Sequence, residues 1–244
     1  MKQRGFKEPQ DLPRRFYKAV DVAPAGESFS VQLDGRTPKS PAGKPLAAPT
    51  EALARLVADE WGGQGEHILM ATMPATRLAW TALDRVADAH MEVAEEVARY
   101  AGSDLVCYLA EEPVALVERQ TKAWGPLRDW AADELDVTLQ AVAGILHQDQ
   151  PATSLLRAEK HAEALDDFAL AGLAHATALF GSAVLGFALQ RGRLSGYEAF
   201  ELSRLDEAFQ EERWGVDAEA AERTAALAAE AAMLDSWFAA LRLS

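Results

Sequence analysis

The chain has 244 residues, is 49% hydrophobic and carries a net charge of −14, an acidity that repels nucleic acid and anionic membrane and so argues against both as partners. Its single cysteine excludes a disulfide framework within the monomer and fits a reducing compartment. Residues 1–50 hold nine Lys or Arg against five Asp or Glu and seven of the eleven prolines, which leaves +4 there and −18 on the rest, the shift in composition expected at a domain boundary.

Met1 to Asp11 is charged and lacks a central apolar stretch, so no secretory signal is expected, and Glu8 and Asp11 argue against a transit peptide. Strands are predicted at Arg15 to Val20 and at Phe29 to Leu33, where Phe29, Val31 and Leu33 alternate with Ser30 and Gln32. Asp34-Gly35 reads as a two-residue hairpin turn and Pro41-Ala42-Gly43 as a second turn. Pro38 and Pro45 restrict the pieces around it to edge strands or loops. So few short strands need a covering helix. Thr50 is placed to cap it, Leu53, Leu56, Val57 and Trp61 line one side, and Gly62-Gly63 stops it, which assigns Trp61 to the core.

From about residue 74 the period is helical almost throughout. Leu78, Ala82, Val86, Ala89, Val93 and Val97 predict one long helix from Pro74 to Tyr100. Pro113 opens the next, Pro126 kinks or ends it, and the piece from Trp124 to Leu135 is expected to bury Leu127 and Trp130. Leu135 to Ile145 is ambiguous, with room for one extended strand. Phe168 to Leu189 carries no formal charge and is long enough to cross a bilayer, but its alanine and glycine content, His175 and the break at Gly181-Ser182 predict two interior helices. Alanine-rich helix runs from Ala158 to Leu241 with interruptions at Gly181, Gly192 to Gly196 and Gly215-Val216. Asp217 is placed to cap the last helix, which carries Leu227, Met233, Leu234, Trp237 and Phe238.

Motifs that carry chemistry are mostly missing. None of His67, His90, His147, His161 and His175 has an acid three residues before it, and no two lie at metal-binding spacing. There is no phosphate loop and no nucleophile elbow, and Gly63-Gln64-Gly65 lacks a third glycine. Cys107, among Leu105, Val106 and Leu109 and without a basic neighbour, reads as an inert buried thiol. Neither a metal nor a cofactor is expected.

Ser195 to Gly215 is the most specific stretch. Ser195 and Glu198 form a capping box, Gly215 ends the helix, and at about 100° per residue Leu202, Leu205 and Phe209 share one stripe. Arg204, Glu207 and Glu211 fall opposite, joined by Phe200. This face reads either as a solvated charged surface or as a partner-binding one, the aromatic among the acids favouring the second. A paired-carboxylate role for Glu207 and Glu211 is disfavoured, because an exposed helix face supplies no desolvation to split their pKa values.

The run Leu202-Ser203-Arg204-Leu205-Asp206-Glu207-Ala208-Phe209-Gln210-Glu211-Glu212-Arg213-Trp214-Gly215 closely resembles the signature of the assembly chaperones of the F-type ATP synthase, which guard the free alpha subunit. Arg15-Phe16-Tyr17-Lys18, Leu33 to Gly43, Pro49 to Ala54, Glu60-Trp61, Tyr100 to Tyr108 and Trp124-Gly125-Pro126 also resemble that family, in order, over nearly the whole chain. The resemblance implies a binding protein and not an enzyme, with the alpha subunit as partner until the beta subunit replaces it. It points to Glu207 as the family's functional acid, with Arg204, Asp206 and Glu211 as lesser client-binding candidates and Trp61 and Trp214 as structural residues. It also implies a cytoplasmic location in a bacterium, its eukaryotic relatives lying in the mitochondrial matrix, and a monomer is expected. The runner-up is an enzyme with a helical substrate domain. The expected fold has two domains, a small α+β, β-rich N-terminal one with a covering helix (1–75) packed on a larger all-α one (76–244) joined by little linker.

Overall fold

The computed structural model of the chain describes residues 12–215 and 218–243. Of these, the residues within Met1–Asp84 and Ala240–Ser244 form one compact unit and those within Arg85–Ala239 a second. The sequence-derived boundary near residue 75 falls one helix short of this division, because the helix that follows it is tied into the first unit by Glu60.

In the first unit β1 (Val20–Ala25) and β2 (Ser28–Leu33) are antiparallel, with Val20 opposite Leu33 and Ala25 opposite Ser28. Gly26, at φ 68°, closes this hairpin with Glu27. The first strand therefore begins where the sequence predicts it to end. Residues 15–19 are held in another way: Arg15 donates its backbone N–H to Glu66 O at 2.8 Å, and the Asp34 carboxylate accepts from Lys18 N and Ala19 N. The expected Asp34-Gly35 turn forms, with φ of 50° and 77° and reciprocal Leu33–Arg36 bonds of 2.9 and 3.0 Å, but it carries a single rung. β3 (Ala47–Ala48) adds two residues beside Phe29 and Ser30, and Lys39 bridges Pro45, so the proline-flanked pieces are short edges as expected.

α1 (Glu51–Gly62) covers the sheet. Thr50 Oγ1 accepts from Leu53 N at 3.1 Å as its cap, and Leu53, Val57 and Trp61 are buried, Trp61 to 5%. Tyr17 donates to Trp61 O at 2.8 Å and packs edge-on to its ring, so Trp61 is a core residue. The Glu60 carboxylate accepts from Ala75 N, Thr76 N and Thr76 Oγ1, each at 2.7 Å, and so caps α2 (Pro74–Thr81). Burial pushes the Glu60 carboxyl up, against the pull of those donors.

The single helix predicted from Pro74 to Tyr100 is broken. After α2 the chain makes a π-helical turn, Ala82–Val86, and restarts as α3 (His90–Gly102). The wider turn keeps Ala82 and Val86 buried while Asp84 accepts from Ser40 Oγ and Ala42 N. A five-residue turn cannot be told from a four-residue one when both of its ends are apolar.

In the second unit β4 (Tyr108–Leu109) and β5 (Val142–Ala143) form a two-rung parallel pair, so the ambiguous stretch after Leu135 does contain a short strand. Between them α4 (Val114–Leu135) runs for 22 residues straight through Pro126. Lys122 and Pro126 are both on its exposed side, so the carbonyl left without a donor faces water. Trp124 is fully buried and Leu127 buried, but Trp130 is only half-buried, contrary to expectation.

α5 (Ala152–Glu163) precedes α6 (Asp167–Phe180) and α7 (Ala183–Gln190), the two interior helices expected, separated by Gly181 at φ 63° and Ser182 as cap. No helix among the described residues is long and apolar enough to cross a membrane. Asp104, fully buried, accepts from Val106 N at 3.2 Å and from Val184 N at 3.0 Å, tying the segment after α3 to the start of α7. Burial pushes its carboxyl up to about 6. The chain continues as α8 (Gly196–Ser203), α9 (Leu205–Trp214) and α10 (Ala218–Arg242), the last burying Leu234, Trp237 and Phe238. Asp217, expected to cap α10, lies outside the described residues.

Candidate functional site

The capping box at Ser195 forms as the sequence predicts: Ser195 Oγ accepts from Glu198 N at 3.2 Å and the Glu198 carboxylate accepts from Ser195 N at 2.8 Å. The Ser195 N–H and hydroxyl, both donating to it, hold the Glu198 carboxyl below its usual range. The predicted helix from Ser195 to Gly215 is nevertheless two helices. Ser203 Oγ turns back to Phe200 O at 2.7 Å, and Arg204, at φ −110° and ψ 22°, leaves helical geometry between α8 and α9.

That break moves one residue across the wheel. Phe200, expected outside with the charges, is 4% exposed, because the angular phase counted from α9 does not carry back through Arg204 into α8. Leu205 and Phe209 are buried as expected, and Leu202 is half-buried. The Arg204 guanidinium lies 5.7 Å from the Phe200 ring centroid and that of Arg213 4.1 Å from Phe209.

The four charged candidates separate. Arg204 and Glu211 pair with each other at 2.6 Å, with side chains only 18% and 29% exposed. Asp206 accepts from Gln120 Nε2 at 2.7 Å. Glu207, in the first turn of α9, is exposed and makes no hydrogen bond or ion pair among the described residues. Its charge suits the helix start, where the backbone dipole is positive. Trp214, expected as a structural residue, is 78% exposed at the end of α9 and is not part of the core.

Gln120 is the residue that sequence reasoning missed. Fully buried on α4, it donates to Asp206 and accepts from Ala110 N at 2.7 Å, joining the end of β4 to α9. Trp124 Nε1 donates to Leu202 O at 3.0 Å, and Arg119 pairs with Glu212 at 2.8 Å. A signal existed: Leu116, Gln120 and Trp124 recur every four residues, so one polar side chain stands in an apolar stripe. A glutamine there needs two partners.

Among the described residues no group of three or more His, Cys, Asp or Glu is placed to hold a metal ion. His90 bonds Asp167 at 2.7 Å and Glu163 O at 3.0 Å, His175 bonds Glu230 at 3.0 Å, and His161 bonds Leu135 O at 2.9 Å, all ties between helices or their ends. His90 is held above its usual range, Asp167 and the Glu163 carbonyl outweighing burial. Cys107 is fully buried and its thiol pushed up to about 12 by burial, with the nearby Asp104 adding to the shift. The site is thus a helix held by side-chain bonds that presents one unpaired acid, an arrangement suited to binding.

The family model of the ATP12 chaperone protein matches residues 14–132. The mitochondrial protein atp12 of Schizosaccharomyces pombe is 28% identical over 220 residues, 85% of this chain and 75% of that one. Atp12 from Paracoccus denitrificans has a similar structure, with a TM-score of 0.86 and 39% identity, covering 93% of this chain and 97% of that chain. The Agrobacterium tumefaciens protein Atu1473 superimposes with a TM-score of 0.88 at 41% identity, over 94% of this chain and 87% of that one.

Proposed function

The chain belongs to the ATP12 family of chaperones, and from that premise we propose that it is an assembly factor of the F-type ATP synthase headpiece, holding the free alpha subunit until the beta subunit displaces it. A ring subunit without its neighbours exposes a surface that associates wrongly unless masked. In this reading the chain acts as a monomer in the bacterial cytoplasm, where the free subunit is made.

The observation that carries the site is Glu207, exposed and unpaired on a helix whose other acids are all engaged. Its contact with the client is electrostatic, and the client group it meets is basic. Asp206 and the Arg204–Glu211 pair serve this contact indirectly, by fixing how α9 is turned.

Calorimetric titration of the isolated alpha subunit with the parent chain and with Glu207→Lys tests the reading. The reversal should weaken binding by about 2 kcal/mol or more, while folding stability changes by about 0.5 kcal/mol. Equal binding by a folded Glu207→Lys variant would remove Glu207 from the contact. No binding by the parent chain would sink the assignment of the client.

A further inference from the structure

Among the described residues of the second unit seven large apolar side chains stand in solvent; Met91, Leu156 and Tyr197 are on α3, α5 and α8, and the remaining four are Val114 at 69%, Ile145 at 96%, Leu146 at 81% and Trp214 at 78% exposed. These four lie on three segments that the structure ties together. α9 runs antiparallel to α4, with Leu202 bonded to Trp124, Asp206 to Gln120 and Glu212 to Arg119, which carries Trp214 toward the start of α4 and Val114. β5 lies beside β4, Gly144 N donates to Leu109 O at 2.8 Å, and the Glu111 carboxylate lies against Gly144, so the loop tip Ile145-Leu146 stands by the lead-in to α4. Gln120 joins the end of β4 to α9.

Single exposed apolar residues need no explanation, but a set gathered on joined segments does. None of these four side chains adds appreciably to the core. The charges around them are mostly acidic: Glu111, Glu112 and Glu118 are exposed there, as is Glu207 on α9, while Arg119 is engaged by Glu212. A second copy of this chain would set the same acids against one another.

We infer that this apolar edge, rimmed by acids, is a second part of the client surface and takes an apolar stretch of the alpha subunit flanked by Lys or Arg. The inference rests on the functional reading above and extends it from one acid to a surface. Apolar contacts at the centre carry the affinity, and the acids select a basic flank and exclude acidic ones.

The test uses the full chain carrying Ile145→Asp with Leu146→Asp, a separate Trp214→Ser variant, and Phe16→Ser as a control, an aromatic 72% exposed in the first unit. Each is titrated with the isolated alpha subunit, with circular dichroism melts to verify folding. The double variant should bind about tenfold more weakly or worse, Trp214→Ser several-fold more weakly, and Phe16→Ser within about twofold of the parent, since affinity concentrates in few central side chains. Binding of a folded double variant within about twofold of the parent would overturn the surface while leaving the client assignment standing. Failure of the parent to bind would overturn both. A parent that sediments as a dimer, reverting to monomer in the double variant, would give the edge to a second copy and overturn the inference.

Discussion

α6 and α7 bury most of their side chains, whereas α9 buries only Leu205 and Phe209. In the first pair polar groups point inward and close helix ends: Ser182 and Asp104 accept the backbone donors at the start of α7. Around α9 they act sideways, Gln120 on Asp206 and Arg204 on Glu211, and leave Glu207 and Trp214 in water. Burial is therefore concentrated in α6 and α7, and directed side-chain bonds around α9. On the proposed function α9 shows its charges to a partner and cannot also be stabilised by burying them, so a few directed bonds fix its orientation.

The largest effect should come from the buried pair. Trp237 is fully buried, donates to Phe168 O at 3.1 Å and presses on Gly172, where an added Cβ would sit 2.9 Å from its ring. Trp237→Ala should cost roughly 3–5 kcal/mol in a urea melt. A cost below about 1 kcal/mol would deny that α6 is packed in this way.

Asp104 supplies a pH-dependent test of the same interior. Its carboxyl, pushed up to about 6 by burial, holds a proton more tightly folded than unfolded. The resulting stability is fully present below about pH 4 and is lost as pH rises through 6, a swing on the order of 3 kcal/mol. Asp104→Asn removes that titration. The stability advantage of the parent over the variant, measured by urea unfolding at several pH values, should shrink between pH 4.5 and 7. A difference independent of pH would show that the carboxyl is solvated.

The smallest of the three effects belongs to the presenting helix. Gln120→Ala leaves the Ala110 N–H and the Asp206 carboxylate without their partner, at a cost of about 1–3 kcal/mol. Amide hydrogen exchange should quicken in α9 while α6 and α7 stay protected. Equal quickening in both regions would break the contrast drawn above.

Local chemistry was well marked in the amino-acid sequence. Thr50, Ser195 with Glu198, Asp34-Gly35 and Gly181 each act over two to four residues and form as expected. The uncharged run from Phe168 was equally legible as two interior helices. What could not be read were effects set by distant partners. The π turn at Ala82 depends on Asp84 reaching back to Ser40, the β1–β2 hairpin turns at Gly26 because residues 15–19 are engaged elsewhere, and Asp206 meets Gln120 across 86 positions. For the same reason the candidate site was only partly visible. The wheel sets Glu207 on the outward face with Arg204 and Glu211, and the family resemblance points to it among them, but the roles of Arg204, Asp206 and Glu211 depend on which partner each one finds.

Cys107 bears on how such a protein can be observed. It is the chain's sole cysteine, fully buried, its thiol pushed up to about 12 by burial, and thiol reagents attack the thiolate. The native molecule should therefore react only slowly with maleimides at neutral pH. A Glu207→Cys or Leu146→Cys variant would carry the one reactive thiol, and a dye placed there would report arrival and departure of a client without any native residue having to be removed first.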